Sequence, residues 1–220
     1  MGWWQYQDNP DIYTRAFLKR LLSAEGIHSV RDEYTKQKLS CIGIKNTANT
    51  CCPTTWGLTP AYLSKIPTKK TDNVVFTLTD YNSSREIDYQ LLEFLADSYR
   101  KIYYWVQGVG DLKYIRSFKG LTERVNIISP KLKDFNQTLD SLDCDYVGTR
   151  LHAGIRAIQR GKRALILAVD NRAVEIANDI NLNITHRKDI SGIREFVFGE
   201  YRTQLNIPYD EIKRWKAQFT

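Results

Sequence analysis

From about residue 71 onward, short apolar segments alternate regularly with segments of helical periodicity. The segments "NVVFTLT", "KIYYWVQ", "VNIIS", "DYVGT" and "RALILAV" are rich in β-branched and aromatic residues, which favour strands. The last of them is almost continuously apolar, as is typical of a strand covered on both faces. Strands that alternate with helices over short connections predict a parallel sheet with helices on both faces, and thus a Rossmann-like α/β domain over residues 69–200.

The helices between these strands are predicted from apolar residues at helical spacing. The first follows the strand "NVVFTLT", and Ser83 and Glu86 before its apolar face have the spacing of a capping box. The glycines of "QGVGD" lack the full spacing of a dinucleotide-binding loop, so Gly108 and Gly110 are interpreted as turn residues. The basic stretch "ITHRKD" could flank a substrate, but it is interpreted as a solvated loop.

The first 68 residues have a different pattern. A helix is predicted from Asp11 to Ala24, followed by a short strand, a turn and a helix in "IHSVRDEYTKQKLSCIGI" and by a loop in "KNTANTCCPTTWGLTP". These segments predict an incomplete N-terminal α/β segment with too few strands for a sheet of its own. Residues 201–220 are predicted to end the chain in a helix, with Pro208 in its first turn.

Composition excludes several classes of function. The net charge of +7 is spread along the chain without a long basic tract, so no nucleic-acid partner is expected. No apolar run approaches the roughly 20 residues of a membrane helix, and the N-terminus lacks the pattern of a signal peptide, so a cytoplasmic protein is expected. The four cysteines show no C-x-x-C spacing, so neither a metal site nor a disulfide framework is indicated.

The most informative local feature is the turn after the strand "DYVGT". Gly148 and Thr149 lead directly into a helix that begins with Arg150, Leu151 and His152. A helix start attracts anions, a guanidinium suits carboxylate or phosphate, and an imidazole can move a proton near neutral pH. Because ligands of parallel sheets bind at the carboxyl ends of the strands, this pair is a candidate anion site.

A structural explanation of the same residues stays open. Arg150 could pair with a nearby carboxylate such as Asp143 or Asp145, and His152 could be a satisfied core histidine. The basic residues further along the helix are explained by its carboxyl end, where cations offset the dipole; they are Arg156, Arg160, Lys162 and Arg163.

A second arginine has a similar position early in the chain. Arg31 follows a short β-type stretch in "HSVRDEYT", with Asp32 as the expected helix cap. The alternative interpretation is that Arg31 forms a simple surface ion pair with Asp32.

Together, "SVRDEYT" and "DYVGTRLHAGIRAIQRGKRALILAVDNR" resemble the polysaccharide pyruvyl transferase family, and "TCCPTTWGL" resembles the segment that joins the family's two halves. The resemblance implies a fold similar to the two-domain GT-B-like transferases, with residues 69–200 as the C-terminal half and residues 1–68 as the remnant of an N-terminal half that is longer in the family. The implied activity is transfer of pyruvate from phosphoenolpyruvate to hydroxyls of a cell-surface polysaccharide or glycan precursor, with ketal formation. Phosphoenolpyruvate is then the donor substrate, and no cofactor or metal is implied.

The resemblance also implies roles for individual residues. Arg31, Arg150 and His152 match the family's basic residues and are the catalytic candidates. The substrate-binding candidates are these three residues together with four others, of which the last follows the apolar strand: Gly148, Thr149, Leu151 and Asp170. Two arginines on opposite walls of a cleft would bind the donor's carboxylate and phosphate.

Two other functions remain alternatives. One is a nucleotide-sugar-dependent glycosyltransferase of the same architecture, in which the basic helix start holds a diphosphate. The other is a truncated, non-catalytic module that binds a partner. Peripheral contact with membrane glycan machinery and self-association through residues 1–68 are also expected.

Overall fold

The computed structural model describes residues 1–3, 5–6, 10–22 and 24–220. The strands among them are β1 (His28–Val30), β2 (Thr47–Asn49), β3 (Asn73–Thr77), β4 (Lys101–Trp105), β5 (Val125–Ile128), β6 (Cys144–Gly148), β7 (Ala164–Ala168) and β8 (Ile184–His186). The helices are α1 (Ile12–Leu21), α2 (Glu33–Cys41), α3 (Pro60–Leu63), α4 (Arg85–Ser98), α5 (Val109–Arg116), α6 (Leu132–Ser141), α7 (Leu151–Gln159), α8 (Asn171–Ile180), α9 (Ile190–Phe198) and α10 (Tyr209–Lys216).

The chain forms two compact units. The first comprises residues 1–60, 170–182 and 204–220, and the second comprises residues 61–169 and 183–203. The units are therefore built from discontinuous segments, whereas the predicted division at residues 68 and 200 runs along the chain and stays a prediction.

The second unit contains a parallel sheet, as predicted, with six strands rather than the five identified in the sequence. Its strand order is β5-β4-β3-β6-β7-β8. The chain runs outward from β3 to β4 and β5 and then returns to the other side of β3, so the connections reverse direction between β3 and β6. In open α/β sheets a ligand crevice forms at such a reversal, outside the carboxyl ends of the two strands.

Helices cover both faces of this sheet, which confirms the predicted class. On one face Val74 and Phe76 of β3 pack in a buried cluster with side chains of α4, α5 and α9. On the other face Trp105 of β4 stacks on Phe135 of α6 at a centroid distance of 3.9 Å. The strands β3, β6 and β7 are buried along their whole length, in agreement with their apolar sequences.

Close packing of α7 on the sheet depends on a glycine. A Cβ at Gly154 would lie 2.4 Å from Cγ1 of Ile166 and 3.1 Å from Cε1 of Tyr146. The helix therefore approaches β6 and β7 more closely than a side chain would allow. This contact fixes the start of α7 relative to the carboxyl edge of the sheet.

The first unit contains a small sheet of its own, so the prediction of too few strands for a sheet was wrong. Strand β2, which lies in the segment predicted as loop, pairs in parallel with β1. Helix α8 belongs to this unit through Asp179, whose carboxylate accepts hydrogen bonds from the Glu33 backbone N–H at 2.7 Å and from Asn49 at 2.8 Å.

Three further expectations need correction. The capping box at Ser83 does not form: the N-cap of α4 is Ser84, and among the described residues its side chain caps no backbone N–H. Gly110 was interpreted as part of a connecting turn, but it lies within helix α5. Its missing side chain leaves room there for Asp80. The "ITHRKD" segment contains β8, and Arg187 within it is only 4% exposed, so the prediction of a solvated loop was wrong for that residue.

Helix α1 exposes several large apolar side chains. Ile12, Tyr13, Phe17 and Leu21 are each more than half exposed. The predicted self-association through the early segment concerns this face and stays a prediction. Among the described residues, no helix is both long and apolar enough to cross a membrane.

Candidate functional site

The turn between β6 and α7 requires glycine at its first position. A Cβ at Gly148 would lie 2.5 Å from Thr77 Oγ1 and 2.7 Å from the Thr77 backbone nitrogen. Strand β6 therefore lies close to the end of β3 at the reversal point of the sheet. Thr149, which is 4% exposed, continues the pairing by donating its N–H to the Thr77 carbonyl at 3.0 Å.

A closed ring of hydrogen bonds fixes the start of α7. The Arg150 N–H donates to Thr77 Oγ1 at 3.3 Å, and the Tyr146 hydroxyl donates to the Arg150 carbonyl at 3.0 Å. Burial raises the pKa of Tyr146, so its hydroxyl keeps its proton. The Thr77 hydroxyl, 2.6 Å from the Tyr146 oxygen, completes the ring as donor. The backbone of Arg150 is thus held at both its donor and its acceptor.

The Arg150 side chain lies at the reversal point, partly exposed. Its Nη2 donates to Asp111 Oδ1 at 2.7 Å and is 3.6 Å from Asp80 Oδ1. Asp111 is 2% exposed and also accepts the Gln107 N–H at 3.1 Å, so it is a fixed anchor for the guanidinium. Arg150 does pair with carboxylates, as the structural alternative expected, but its partners are Asp111 and Asp80 rather than Asp143 or Asp145.

One guanidinium nitrogen of Arg150, the buried Nε, has no hydrogen-bond partner among the described residues. The Tyr81 ring lies 5.1 Å from the guanidinium carbon and supports it as a cation–π partner. A buried donor without a partner is costly, and an anion that enters the crevice would satisfy it.

The neighbours of Arg150 on α7 face in different directions. Leu151 is 9% exposed and faces the core, whereas His152 is exposed. The alternative of His152 as a core histidine is therefore wrong. Its position in the first turn of the helix, at the carboxyl edge of the sheet, agrees with a contact to a bound ligand.

Asp145 and Arg163 form a buried ion pair that sequence reasoning missed. Arg163 is fully buried, and its Nη2 donates to Asp145 Oδ2 at 2.7 Å. The Tyr99 hydroxyl donates to the same carboxylate oxygen at 2.7 Å, and burial followed by the Asp145 charge raises the pKa of Tyr99. Arg163 is thus part of the core rather than a cation at the end of a helix, and this pair accounts for Asp145.

Arg31 is described within the first unit. It follows β1, and its Nε donates to Asp32 Oδ2 at 3.1 Å. Asp32 is fully buried and caps α2 by accepting the Thr35 N–H at 2.8 Å, as predicted. Arg31 Nη2 is buried and has no hydrogen-bond partner among the described residues, so a second arginine also keeps a nitrogen unsatisfied.

Asp170 is also described within the first unit. It is the N-cap of α8, where its carboxylate accepts the Arg172 N–H at 3.0 Å and pairs with the Arg172 guanidinium. Its carboxylate therefore has a structural role in the cap. Across the described residues, no three or more His, Cys, Asp or Glu side chains cluster closely enough to hold a metal ion.

These features define an α/β protein with a candidate anion site, around Arg150, at the carboxyl edge of a Rossmann-like sheet. A model of the polysaccharide pyruvyl transferase family matches residues 7–171, which is more than half of the chain. The chain belongs to the polysaccharide pyruvyl transferase family.

The fold is similar to that of a solved two-domain protein. A crystal structure of Methanocaldococcus jannaschii UDP-GlcNAc 2-epimerase, in complex with UDP-GlcNAc and UDP, superposes with a TM-score of 0.51 at 12% sequence identity. The match covers 89% of this chain and 61% of that one, so the chain spans less than two thirds of that protein's length. At this identity the likeness concerns the fold alone. No curated protein sequence matches the chain.

Proposed function

We propose that this chain transfers the pyruvyl group of phosphoenolpyruvate to hydroxyls of a glycan, with Arg150 and His152 at the donor site. The observation that supports this most is the buried Nε of Arg150, a charged donor without a partner at the reversal point of the sheet. A carboxylate or phosphate oxygen of the donor is the kind of group that would satisfy it.

In the proposed reaction, C3 of the enol accepts a proton and becomes the methyl group. The resulting cationic C2 is attacked by one sugar hydroxyl, which loses its proton. The bond between C2 and the phosphate oxygen then breaks, and phosphate leaves with the bonding pair. A second hydroxyl attacks C2 to close the ketal, and its proton passes to the departing phosphate. The products are the ketal and inorganic phosphate.

Each chain group has a proposed part in these steps. Arg150 binds an anionic group of the donor and stabilises the phosphate as it leaves. His152 is exposed two residues further along, and its imidazole is the proposed group that delivers or accepts a proton. Asp111 positions Arg150, because it is buried and bonds the guanidinium at 2.7 Å. Arg31, with its own unsatisfied Nη2, is the proposed partner for the donor's second anionic group.

The test compares two donors on the whole chain. We expect phosphoenolpyruvate to raise the melting temperature, because a ligand that binds only the folded state stabilises it by mass action. A UDP-sugar should leave the melting temperature unchanged. A shift with the UDP-sugar alone would favour the glycosyltransferase alternative, and no shift with either donor would favour a non-catalytic binding module.

A further inference from the structure

A second polar cavity lies at the same edge of the sheet as Arg150 but shares none of the groups that contact it. It has a volume of about 310 Å³ and is lined by the loops after β3, β7 and β8: Asn82, Ser83, Ser84, Ile87, Ala168, Val169, His186, Arg187 and Lys188. Among these nine described lining residues no carboxylate occurs, whereas three are basic.

Hydrogen bonds between the loops hold the cavity in shape. Asn82 Nδ2 donates to the Val169 carbonyl at 2.8 Å, and Arg187 Nη1 donates to the Asn82 carbonyl at 2.6 Å. The loops after β3, β7 and β8 are thus tied to one another without a ligand. Such a preformed arrangement lowers the entropic cost of binding.

The amino end of α4 opens at this cavity. The helix has 14 residues, and in the described structure the side chain of its N-cap, Ser84, caps no backbone N–H. The first-turn N–H groups have no partner within the helix and carry the positive end of its dipole. An anion can satisfy them.

An independent observation comes from Arg187. The residue is 4% exposed, its Nη2 donates to the fully buried Asp88 at 2.7 Å, and it lines the cavity. Its Nε is buried and has no hydrogen-bond partner within the described part of the chain. A charged donor is therefore held at the cavity with its Nε–H unused by the described residues, and an acceptor on a bound ligand would satisfy it.

The other basic residues add donors at the rim. His186 Nδ1 accepts the Lys188 N–H at 3.3 Å, which leaves Nε2 as the donor of that ring. Lys188 is exposed and can turn its ammonium group to the cavity.

Three carboxylates lie nearby on the same elements but outside the lining. Asp88 is engaged by Arg187 and by the Tyr114 hydroxyl. Asp189 caps α9 by accepting the Gly192 N–H at 2.9 Å, and Glu86 is exposed on the surface of α4. The lining itself therefore contains no carboxylate, although Asp88 offsets the charge of Arg187.

We propose that this cavity is a second anion site, which binds a phosphate group, either as inorganic phosphate or as the phosphate of a sugar phosphate. The proposal does not depend on pyruvyl transfer, because it rests on α4, Arg187 and Lys188 rather than on Arg150.

The test uses two substitutions at the N-cap of α4. Ser84→Asp and Ser84→Asn both place a good N-cap residue there, so both variants should fold with at least the wild-type melting temperature. Only Ser84→Asp puts a negative charge at the cavity. We expect it to weaken binding by at least about tenfold, whereas Ser84→Asn should bind as wild type does.

The measurement is titration of the whole chain with inorganic phosphate and, separately, with glucose 6-phosphate, followed by amide chemical shifts of residues 84–88. Tighter binding of glucose 6-phosphate identifies a phosphate ester as the ligand, and equal binding identifies the phosphate group alone. The proposal would be overturned if the two Ser84 variants bound phosphate equally well or lost binding equally. It would also be overturned if millimolar phosphate caused no chemical-shift change at residues 84–88 of the wild type.

Two more variants separate this site from the donor site. Lys188→Ala should weaken phosphate binding severalfold, while Lys133→Ala, which removes an equally exposed lysine from α6, should not. Arg150→Ala should leave the shifts of residues 84–88 intact even if it abolishes donor binding. Loss of these shifts in a folded Arg150→Ala variant would contradict a separate site.

Discussion

At the scale of single residues, the site depends on a carboxylate that sequence reasoning did not select. Asp111 lies 39 positions before Arg150 in the chain, and no local motif links the two. The sequence predicted Arg150 at the start of a helix at the carboxyl edge of the sheet, and the structure places it there as the N-cap of α7. Its buried anchor could only be found once strand order was known, because β4 and β6 both flank β3.

This anchor changes what replacement of Arg150 should do. A guanidinium that merely faced a cleft would add little to stability, but Arg150→Ala leaves the carboxylate of Asp111 buried without its cation. We expect a loss of about 1–3 kcal/mol in the free energy of unfolding. The double variant Arg150→Ala, Asp111→Asn should recover much of it. Urea unfolding of the three proteins measures this, and an Arg150→Ala variant as stable as wild type would contradict the buried pair.

Donor binding should separate from stability in the same variants. The single variant Arg150→Ala and the double variant both lack the Arg150 guanidinium. Both should therefore lose about 2–4 kcal/mol of phosphoenolpyruvate binding free energy, although the double variant recovers stability. Arg160→Ala is the matched control, because Arg160 is on the same helix and pairs with Asp140 at 2.8 Å. A double variant that regained donor affinity would show that Arg150 acts through folding alone.

Asp80 should act against donor binding. Its Oδ1 is 3.6 Å from Arg150 Nη2, and its side chain is 48% exposed, so it competes with an anionic donor at little structural cost. We expect Asp80→Asn to tighten phosphoenolpyruvate binding about two- to fivefold with an unchanged melting temperature. Calorimetric titration at low ionic strength measures this. Weaker binding would mean that Asp80 orients Arg150 rather than competing for it.

At the scale of elements, the periodic segments were predicted well, whereas two of the three-residue strands were not. The strands and helices from β3 to α8 lie where the alternation places them, because each has enough residues to show its period. Strands β2 and β8 have three residues each, too few to show alternation, and both pair only through contacts distant in sequence. Arg163 and Arg187 were misjudged for the same reason: each is buried by partners that tertiary structure supplies.

The packing of α7 on the sheet gives a prediction at this scale. Gly154→Ala would place a Cβ 2.4 Å from Ile166 Cγ1, so the helix must move away from β7. Overpacking of this kind costs about 1–3 kcal/mol of stability. Because the same helix begins at Arg150, phosphoenolpyruvate binding should weaken as well.

The matched control for this helix shift trims the opposing side chain. Because Ile166→Ala removes both Cγ1 and Cδ1, which the new Cβ would meet, Gly154→Ala should cost less stability and less affinity in an Ile166→Ala background than in the wild type. Urea unfolding and calorimetric titration measure the two effects. If Gly154→Ala is as stable as wild type, the close approach of α7 to β7 is contradicted.

At the scale of the whole molecule, the family and the sheet followed from the sequence, but the grouping into units did not. Residues 170–182 follow the last central strand in sequence, yet α8 belongs to the first unit through bonds to Glu33 and Asn49. Such discontinuous units depend on contacts between distant segments, which a pattern along the chain does not record. Arg31 and Arg150 lie in different units, so their joint contact with one donor stays a prediction.

A crystal structure of the whole chain with phosphoenolpyruvate bound would test the central claim most directly. The account predicts the donor at the reversal point between β3 and β6, with one of its oxygens about 3 Å from Arg150 Nε and another at the same distance from Arg31 Nη2. A donor bound elsewhere, with both of these nitrogens still unsatisfied, would contradict it.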